Sequence, residues 1–375
     1  MPNIEVAEVE SSAQLKKFIS YPNDLYRSEP NYVTPLLSER KEFFDREKNP
    51  FYKSASVKLF LAMQGKEVVG RIATCINYNH NQVHEEQVGF FGFFDCPDDY
   101  EIASTLLKVA MITLKKAGME KMRGPMNFST NHECAFLVEG FDSPPTVMMP
   151  FNQPYLPRLA EKFGLKKVMD LVAYRIISED PISERMQKVV KKMQARSRIT
   201  IRGIKMSDYN NELQRVKAIY DSAWEPNWGF VPMDEEEFDY VARRLKQIVD
   251  PELALIAEFE GKPVACSLAL PDFNQALIHL KGRLFPTGLL KLLWHTKVRN
   301  KVRCVRLIMF GVVPEFQRRG IDSLMYVETY NRAIARGYDW AELSWILETN
   351  ELMRRAIEQM GGKLFKRYRV VEMPL

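Results

Sequence analysis

Residues Val312–Ser323 read VVPEFQRRGIDS, and they separate a strand-like stretch from a helix-like stretch. The branched apolar run that begins at Arg306 stops at Pro314, and an arginine-flanked turn containing Gly320 follows it. A helical pattern then continues to Ala335. A strand, a basic glycine turn and a helix start, in this order, allow a backbone to present free N–H groups to a phosphate. The stretch therefore predicts an anion-binding turn.

The same string resembles motif A of the GNAT acyltransferase superfamily, whose Gln/Arg-x-x-Gly-x-Gly/Ala turn binds the pyrophosphate of coenzyme A. Gln317 and Gly320 match that turn, whereas Asp322 stands where the family has Gly or Ala. The resemblance implies that acyl-coenzyme A is a co-substrate. It also implies a set of cofactor-binding residues: Val312, Val313, Gln317, Arg318, Arg319, Gly320, Ile321, Asp322 and, for the pantetheine arm, Asn350. Asn350 could equally serve as the N-cap of the helix that follows it.

Length and composition restrict the class of protein. A chain of 375 residues favours two domains, and a net charge of +5 suits an anionic cofactor or membrane surface but is too small to indicate nucleic acid. The five cysteines have no CxxC spacing, which favours free thiols and no metal. The N-terminus is acidic and lacks an apolar signal core, and no apolar run is long enough to cross a bilayer. We therefore expect a cytoplasmic protein.

Short matches recur along the chain at offsets close to 197 residues, which indicates an internal duplication. The matched pairs are Ile4 and Ile201, Gly65-Lys66 and Gly261-Lys262, Asn152 and Asn350, and Tyr174-Arg175 and Tyr368-Arg369. Each half also shows the order of strands and helices of the GNAT fold. We predict an α/β protein of two tandem GNAT-like units, each with a mixed, mostly antiparallel sheet flanked by helices. The expected domains are residues 1–178, a connecting helix at 179–198, and residues 199–375 with the acyl-coenzyme A site.

Local signals predict several further elements. The turns Gln64-Gly65-Lys66 and Glu260-Gly261-Lys262 each predict a hairpin. Residues 13–26 predict a helix that Pro22 interrupts, and residues 124–150 predict a loop-rich stretch. Asp234 and Glu237 have the spacing of a capping box, which predicts the start of a helix.

The first half has CPDDYE, residues Cys96–Glu101, where the second half has its glycine turn. This segment contains three acidic residues and no glycine, so it would repel a pyrophosphate. We expect the first half to give structural support and one wall of the acceptor site.

An amine acceptor must lose a proton before it attacks a thioester, so a base is useful. Alternation along the strand Trp340–Leu347 places Glu342 and Ser344 on one face, with Glu348 just beyond. Glu342 is the first candidate for the base and Glu348 the second, although either carboxylate could be exposed or ion-paired. His279 and His295 are alternatives, and Cys134 is a weaker candidate for a thiol nucleophile.

The general acid for the leaving thiolate is not where the family often has it. The family has a Tyr seven residues after the Asn, and here that position is Ile357. Tyr326, Tyr330 or Tyr368 would have to substitute, or no residue does so, and Tyr368 is included among the candidate catalytic residues.

Two segments are candidates for recognition of the acceptor. Residues Ala223–Pro232, AWEPNWGFVP, carry Trp224, Asn227 and Trp228, and His279 is a further candidate for substrate contact. Residues 281–303 combine Leu-Leu-x-Leu-Leu-Trp with Lys and Arg, a composition suited to an anionic membrane surface at the inner face of a membrane. Core packing of the indoles and a solvated basic helix are the alternative interpretations.

The strings NWGFVP, GRLFP and SWILETN, the last with a downstream GGK, are similar to those of the bacterial ceramide-synthase-like GNAT group. This resemblance implies transfer of a long acyl chain from coenzyme A to a sphingoid-type amine. One alternative is a degenerate GNAT scaffold that binds acyl-coenzyme A or a protein partner without turnover. Another is an aminoacyl or peptide-type transferase, which the small positive charge disfavours. The acceptor, the acyl length and the oligomeric state are not given by the sequence.

Overall fold

The structure, a computed structural model, describes residues 3–375 apart from residues 181, 197, 225, 226 and 285, and it does not describe the side chains of residues 185, 189, 195 and 196. The strands within the described residues are β1 (Ile4–Glu8), β2 (Ala55–Gln64), β3 (Glu67–Asn77), β4 (Val88–Asp95), β5 (Lys121–Gly124), β6 (Phe136–Glu139), β7 (Lys166–Ile177), β8 (Ile199–Gly203), β9 (Ala254–Phe259), β10 (Lys262–Pro271), β11 (Cys304–Val312), β12 (Trp340–Leu347) and β13 (Lys363–Pro374).

The α-helices are α1 (Ser12–Leu25), α2 (Leu37–Phe43), α3 (Tyr78–His84), α4 (Tyr100–Lys116), α5 (Tyr155–Phe163), α6 (Glu184–Arg196), α7 (Tyr209–Trp224), α8 (Glu235–Leu245), α9 (Asn274–Leu277), α10 (Gly288–Leu293), α11 (Ile321–Ala335) and α12 (Glu351–Gln359). Short 3-10 turns precede several strands and helices, among them Pro314–Phe316 before α11.

The chain forms two compact units, neither of which is one continuous stretch of sequence. Unit 1 consists of Met1–Leu171, Ala276–Trp294 and Lys366–Leu375, and unit 2 consists of Val172–Gln275 and His295–Phe365. The boundaries of the two units therefore differ from those of the predicted domains, residues 1–178 and 199–375. The segment 179–198, predicted as a connection, contains α6 and belongs to unit 2.

The sheet of unit 1 has the order β1-β2-β3-β4-β5-β13, and β6 pairs with β13. The first three pairings are antiparallel, the pairing of β4 with β5 is parallel, and β5 pairs with β13 antiparallel. Helix α4 covers one face, where Leu106, Leu107 and Ala110 are completely buried.

The sheet of unit 2 has the order β7-β12-β11-β10-β9-β8. Its pairings repeat those of unit 1, because β8, β9, β10 and β11 pair antiparallel in succession and β11 pairs with β12 in parallel. Helix α11 covers one face and contributes Leu324 and Val327 to the core. The sixth strand of each sheet comes from the other half of the sequence, since β13 closes the sheet of unit 1 and β7 that of unit 2.

The repeated hairpins and helix ends follow from local sequence. Gly65 and Gly261 have φ values of +62° and +79°, as the predicted turns after β2 and β9 require. Gly118 and Gly337 follow α4 and α11 with φ values of +81° and +85°, which L side chains rarely adopt.

The predicted interruption of the first helix at Pro22 is wrong. Helix α1 continues through Pro22, which has no N–H to offer to the carbonyl of Phe18. The guanidinium of Arg71 donates a hydrogen bond to that carbonyl instead, at 2.7 Å. A side chain distant in sequence therefore satisfies the acceptor that proline leaves open. The stretch 124–150, expected to be loop-rich, contains β6, and α3 was also not predicted.

Candidate functional site

Strands β11 and β12 of unit 2 pair over only part of their length. Their register runs from Cys304 opposite Trp340 to Leu307 opposite Leu343, whereas the strands continue to Val312 and Leu347. All residues from 304 to 347 are described, and none beyond Leu307 and Leu343 continues this pairing. A bulge accompanies the separation, because Leu307 lies opposite Ala269 and Met309 lies opposite Leu268, which leaves Ile308 as the extra residue. Unpaired backbone polar groups on two diverging strands can receive an extended, amide-rich substrate.

The predicted turn lies at the end of β11 and leads into α11. Gly320 is the N-cap, with φ +77°, and no side chain caps the helix. The side-chain amide of Gln317 donates to the carbonyl of Val312 at 3.1 Å, which ties the turn to the strand. The backbone N–H groups of residues 321–323 have no partner among the described residues. The first turn of α11 therefore presents open donors at the positive end of a helix dipole.

The corresponding helix of unit 1 has its donors occupied. The carboxylate of Asp99 accepts hydrogen bonds from the backbone N–H groups of Glu101, at 2.8 Å, and Ile102, at 3.3 Å. A carboxylate that belongs to the chain therefore occupies the place at which an anionic ligand would have to bind. This agrees with the expectation that CPDDYE does not bind a pyrophosphate.

Charges around the open turn are mixed. Arg318 and Arg319 are exposed, and neither forms an ion pair within the described part of the chain. The Arg319 guanidinium lies 5.1 Å from the centre of the Phe316 ring. Asp322 lies in the first turn of α11, where a carboxylate is favoured by the helix dipole, and is partly exposed.

The first candidate for the base is completely buried. Glu342 on β12 has no exposed surface, and its Oε1 accepts a hydrogen bond from the Ser344 hydroxyl at 2.9 Å. The Nε of Arg306 donates to the same hydroxyl at 2.9 Å, and its guanidinium lies 5.2 Å from the centre of the Trp345 ring. The Oε2 atom of Glu342 has no hydrogen-bond partner among the described residues. The contact between Glu342 and Ser344 agrees with the strand alternation, which predicted that both side chains lie on one face of β12.

The second base candidate, Glu348, is partly exposed just beyond β12, where its carbonyl accepts from the Arg354 guanidinium at 3.0 Å. Asn350 has its predicted alternative role, since its side-chain oxygen caps α12 by accepting from the backbone N–H of Met353 at 3.2 Å.

The tyrosines that could replace the missing acid are engaged or buried. Tyr326 stacks on Phe310 with ring centres 4.0 Å apart, and burial raises its pKa well above the ordinary value. The Tyr330 hydroxyl donates to the carbonyl of Ser178 at 3.3 Å, and burial also raises its pKa. Tyr368 is completely buried on β13 of unit 1, opposite Leu137, and Ile357 is a core residue of unit 2. This arrangement is compatible with protonation of the departing thiolate by solvent.

The aromatic segment after α7 lies against β11. The Trp224 ring packs on Gly311 so closely that a Cβ at position 311 would lie 2.2 Å from it, so this strand position requires glycine. The backbone N–H of Asn227 donates to the carbonyl of Trp224 at 2.8 Å, and Trp228 is partly buried. Glu225 and Pro226, within the predicted AWEPNWGFVP segment, lie outside the described residues. Trp224 therefore packs on β11, as the alternative interpretation expects, and its contact with a substrate stays a prediction.

His279, the further substrate candidate, is exposed in the 276–294 segment of unit 1. Cys134 is buried and forms a β-bridge with Met126, while the neighbouring Glu133 pairs with Arg40.

Sequence reasoning missed three features of unit 2: the bulge at Ile308, the buried Arg306, and the environment of Glu237. Arg306 stands inside an otherwise apolar strand, and a charge in such a run is itself a signal of a buried partner. Glu237 was explained only as part of a helix start. Its backbone N–H does donate to the capping carboxylate of Asp234 at 2.8 Å. Its own side chain, however, is buried, and Oε1 has no partner among the described residues.

Burial, reinforced by the nearby Asp234 carboxylate, raises the pKa of Glu237 from 4.5 to about 7. The folded state thus holds a proton that the unfolded state releases near pH 4.5. The stabilisation that this bound proton gives to the folded state is fully present below pH 4.5 and is lost as the pH rises through 7. We expect wild type to lose up to about 3 kcal/mol of unfolding free energy relative to Glu237→Gln between pH 4.5 and pH 8.

Urea unfolding of both proteins at the two pH values measures this difference. Glu235→Gln, which neutralises an exposed carboxylate on the same helix turn, is the matched control and should show no pH-dependent difference. An equal difference between wild type and Glu237→Gln at both pH values would show that folding does not raise the pKa of Glu237.

Within the described residues, no group of three or more His, Cys, Asp and Glu side chains is arranged to hold a metal ion. None of the described helices has the length and apolarity needed to cross a bilayer.

Two relatives match nearly the whole chain. The bacterial ceramide synthase of Caulobacter vibrioides (strain NA1000 / CB15N) is 37% identical over 378 residues, covering 100% of this chain and 98% of that protein. Protein YghO of Escherichia coli (strain K12) is 37% identical over 363 residues, covering 96% and 92%. No protein-family model matches the chain.

Solved structures match the fold. A tandem GNAT protein from the clavulanic acid biosynthesis pathway has a TM-score of 0.57 at 10% identity, covering 99% of this chain and 98% of that one. A GCN5-related glucosamine N-acetyltransferase region of a fungal β-N-acetylglucosaminidase has a TM-score of 0.58 at 13% identity, covering 100% of this chain and 38% of that one. The predicted fold, two tandem GNAT-like units with mixed sheets, is confirmed.

Proposed function

Since this chain belongs to the same protein family as the bacterial ceramide synthase and has the GNAT fold, we propose that it is an N-acyltransferase that uses acyl-coenzyme A. The acyl group would pass from the thioester to the nitrogen of an amine acceptor. Each chain would have one coenzyme A site, in unit 2.

One observation carries this proposal: the N-terminus of α11 is open, whereas that of α4 is occupied by Asp99. Three adjacent backbone donors, a left-handed glycine and two exposed arginines are what a diphosphate needs for binding. Strands β11 and β12 separate toward their carboxyl ends, and β11 ends next to this turn. We therefore propose that the pantetheine arm lies between them, where Asn350 could contribute a side-chain amide N–H.

The reaction needs one proton removed and one supplied. The neutral amine attacks the thioester carbonyl, the C–N bond forms, and the C–S bond breaks as the thiolate leaves. Glu342 is the proposed acceptor of the amine proton through its Oε2, while Arg306 and Ser344 orient its carboxylate. Solvent can protonate the thiolate, so a tyrosine acid is not required.

We propose a long-chain acyl donor and a sphingoid-type amine as the substrates. Two things support this choice: the name of the Caulobacter relative, which is 37% identical over nearly its full length, and the apolar surroundings of β11. Met309 of this strand belongs to an apolar cluster whose members could contact a hydrocarbon chain. The other members that matter here are Tyr220, Trp224 and Phe230.

Thiol release from a series of acyl-coenzyme A donors, with sphingoid and short polar amines as acceptors, tests the proposal. We expect turnover with long-chain donors and a sphingoid amine. Binding of acyl-coenzyme A in calorimetry without turnover would instead identify a scaffold, and absence of both would refute the coenzyme A site.

Asp322 is the one residue of the turn that opposes a diphosphate. Because like charges repel, Asp322→Ala should leave the Kd for acyl-coenzyme A unchanged or lower it by up to about tenfold at low salt. Calorimetry at two salt concentrations measures this, with Glu315→Ala, an exposed carboxylate in the preceding 3-10 turn, as the control. A tenfold increase in Kd for Asp322→Ala alone would mean that this carboxylate helps to hold the ligand.

A further inference from the structure

Helix α10 of unit 1 and the residue after it expose a continuous apolar surface. Leu290 is 68% exposed, Trp294 50%, Leu293 48% and Leu289 42%. Leu289 and Leu293 are four residues apart, as are Leu290 and Trp294, so the four side chains lie on one side of a helix. We call this set the α10 patch. A cluster of exposed large apolar residues on a folded protein marks an interaction surface.

The segment that carries the α10 patch is anchored at its base. Ala276 and Leu280 are buried, and the backbone N–H of Leu37 donates to the carbonyl of Gly282 at 3.1 Å. Gly282 has φ +74°, and a Cβ there would lie 2.7 Å from the Thr34 side chain. These contacts hold residues 276–282 against the rest of unit 1, whereas the α10 patch is exposed.

The charges of this segment have one sign. Residues 281–303 contain seven Lys and Arg and no Asp or Glu. Lys281, Arg283 and Lys291 are exposed on the same unit as the α10 patch, and Lys297, Arg299 and Lys301 are exposed further along the chain. Leucine and tryptophan on the same unit as Lys281, Arg283 and Lys291 are complementary to a lipid surface that is apolar inside and negatively charged at its face.

We propose that the α10 patch binds the surface of an anionic lipid bilayer. Leu289, Leu290, Leu293 and Trp294 would enter the boundary between headgroups and acyl chains, and the neighbouring cations would contact lipid phosphates. The helix would lie on the surface and not cross it, because α10 (Gly288–Leu293) and the π-helical turn Trp294–Val298 that continues it are together too short to span a bilayer. Such docking would place the protein where long-chain lipids reside, but it needs no catalytic activity.

Flotation of the full chain with vesicles tests this proposal without any acyl-coenzyme A. We expect binding to phosphatidylcholine vesicles that contain phosphatidylglycerol, at least about tenfold weaker binding to phosphatidylcholine alone, and weakening by salt. Leu290→Ser combined with Trp294→Ser should reduce binding to the anionic vesicles by at least about tenfold.

Leu352→Ser is the matched control, since Leu352 on α12 is 70% exposed and lies outside the α10 patch. It should bind vesicles like wild type. Equal binding by wild type and the double variant would overturn the proposal, as would absence of binding to anionic vesicles. A dimer in sedimentation analysis that the double variant loses, with no vesicle binding, would assign the α10 patch to a second copy of the chain instead.

Discussion

Replacing Glu342 with glutamine is expected to lower kcat/KM for amide formation by about 10²–10⁴-fold, the contribution typical of a positioned general base. Glutamine keeps the shape and can still accept the hydrogen bond from Ser344, which lies at 2.9 Å from Oε1 in the wild type. It removes the ability to accept the amine proton. Initial rates measured over a range of pH with saturating acyl-coenzyme A provide the test.

Ser344→Ala is the companion variant. It removes the hydroxyl that links Arg306 to Glu342 but leaves the carboxylate in place. We expect a smaller loss of rate than for Glu342→Gln, because the carboxylate can still accept a proton but loses a hydrogen bond that orients it. If Glu342→Gln retains activity within about threefold of wild type, Glu342 is a structural partner of Ser344 and Arg306 and not the base.

Gly320→Val is expected to raise the Kd for acyl-coenzyme A by about tenfold to a hundredfold. Gly320 has φ +77°, a conformation that is a genuine outlier for a β-branched residue. A Cβ at this position would also lie 2.1 Å from the Met193 side chain of α6. The turn must therefore change its backbone, which moves the open N–H donors of α11 away from their present positions. Calorimetry with a non-hydrolysable acyl-coenzyme A measures the effect.

Gly337→Val is the matched control for the strain itself. Gly337 follows the other end of α11 with φ +85°, and nothing lies within 4 Å of a Cβ there. Both variants should lose stability, by about 1–2 kcal/mol from the left-handed backbone alone. Only Gly320→Val should weaken binding of acyl-coenzyme A. An equal change in Kd for both would mean that loss of folding, and not the turn, causes the effect.

Features that depend on residues close together in the chain could be predicted from the sequence. The glycine turn, the two hairpins and the cap of α8 by Asp234 were all expected, because a left-handed φ or a capping oxygen acts within a few residues. The acidic segment before α4 belongs to the same group, since the Asp99 carboxylate accepts hydrogen bonds from backbone N–H groups only two and three residues away. The resemblance to the GNAT superfamily rested on such local strings.

Features that depend on distant residues appeared only in the tertiary structure. Pro22 was expected to interrupt α1, but Arg71 satisfies the carbonyl of Phe18 across 53 residues of sequence. Arg306 and Ser344 meet next to Glu342 because β11 and β12 pair in parallel, and no periodicity in either strand alone reveals this contact. The aromatic ring of Trp224 reaches β11 because Gly311 leaves room for it.

The conformation of the glycine turn was thus encoded locally in VVPEFQRRGIDS, where one glycine and its neighbours set the backbone. The tertiary structure decided which carboxylate is buried beside an arginine, which strands separate, and which strand closes each sheet. The Tyr-Arg repeat marked β7 and β13 as equivalent, but it could not show that each completes the sheet formed mainly by the other half. Strand pairing depends on the burial of faces contributed by many distant residues, whereas turns and caps depend on the conformational preferences of a few adjacent ones.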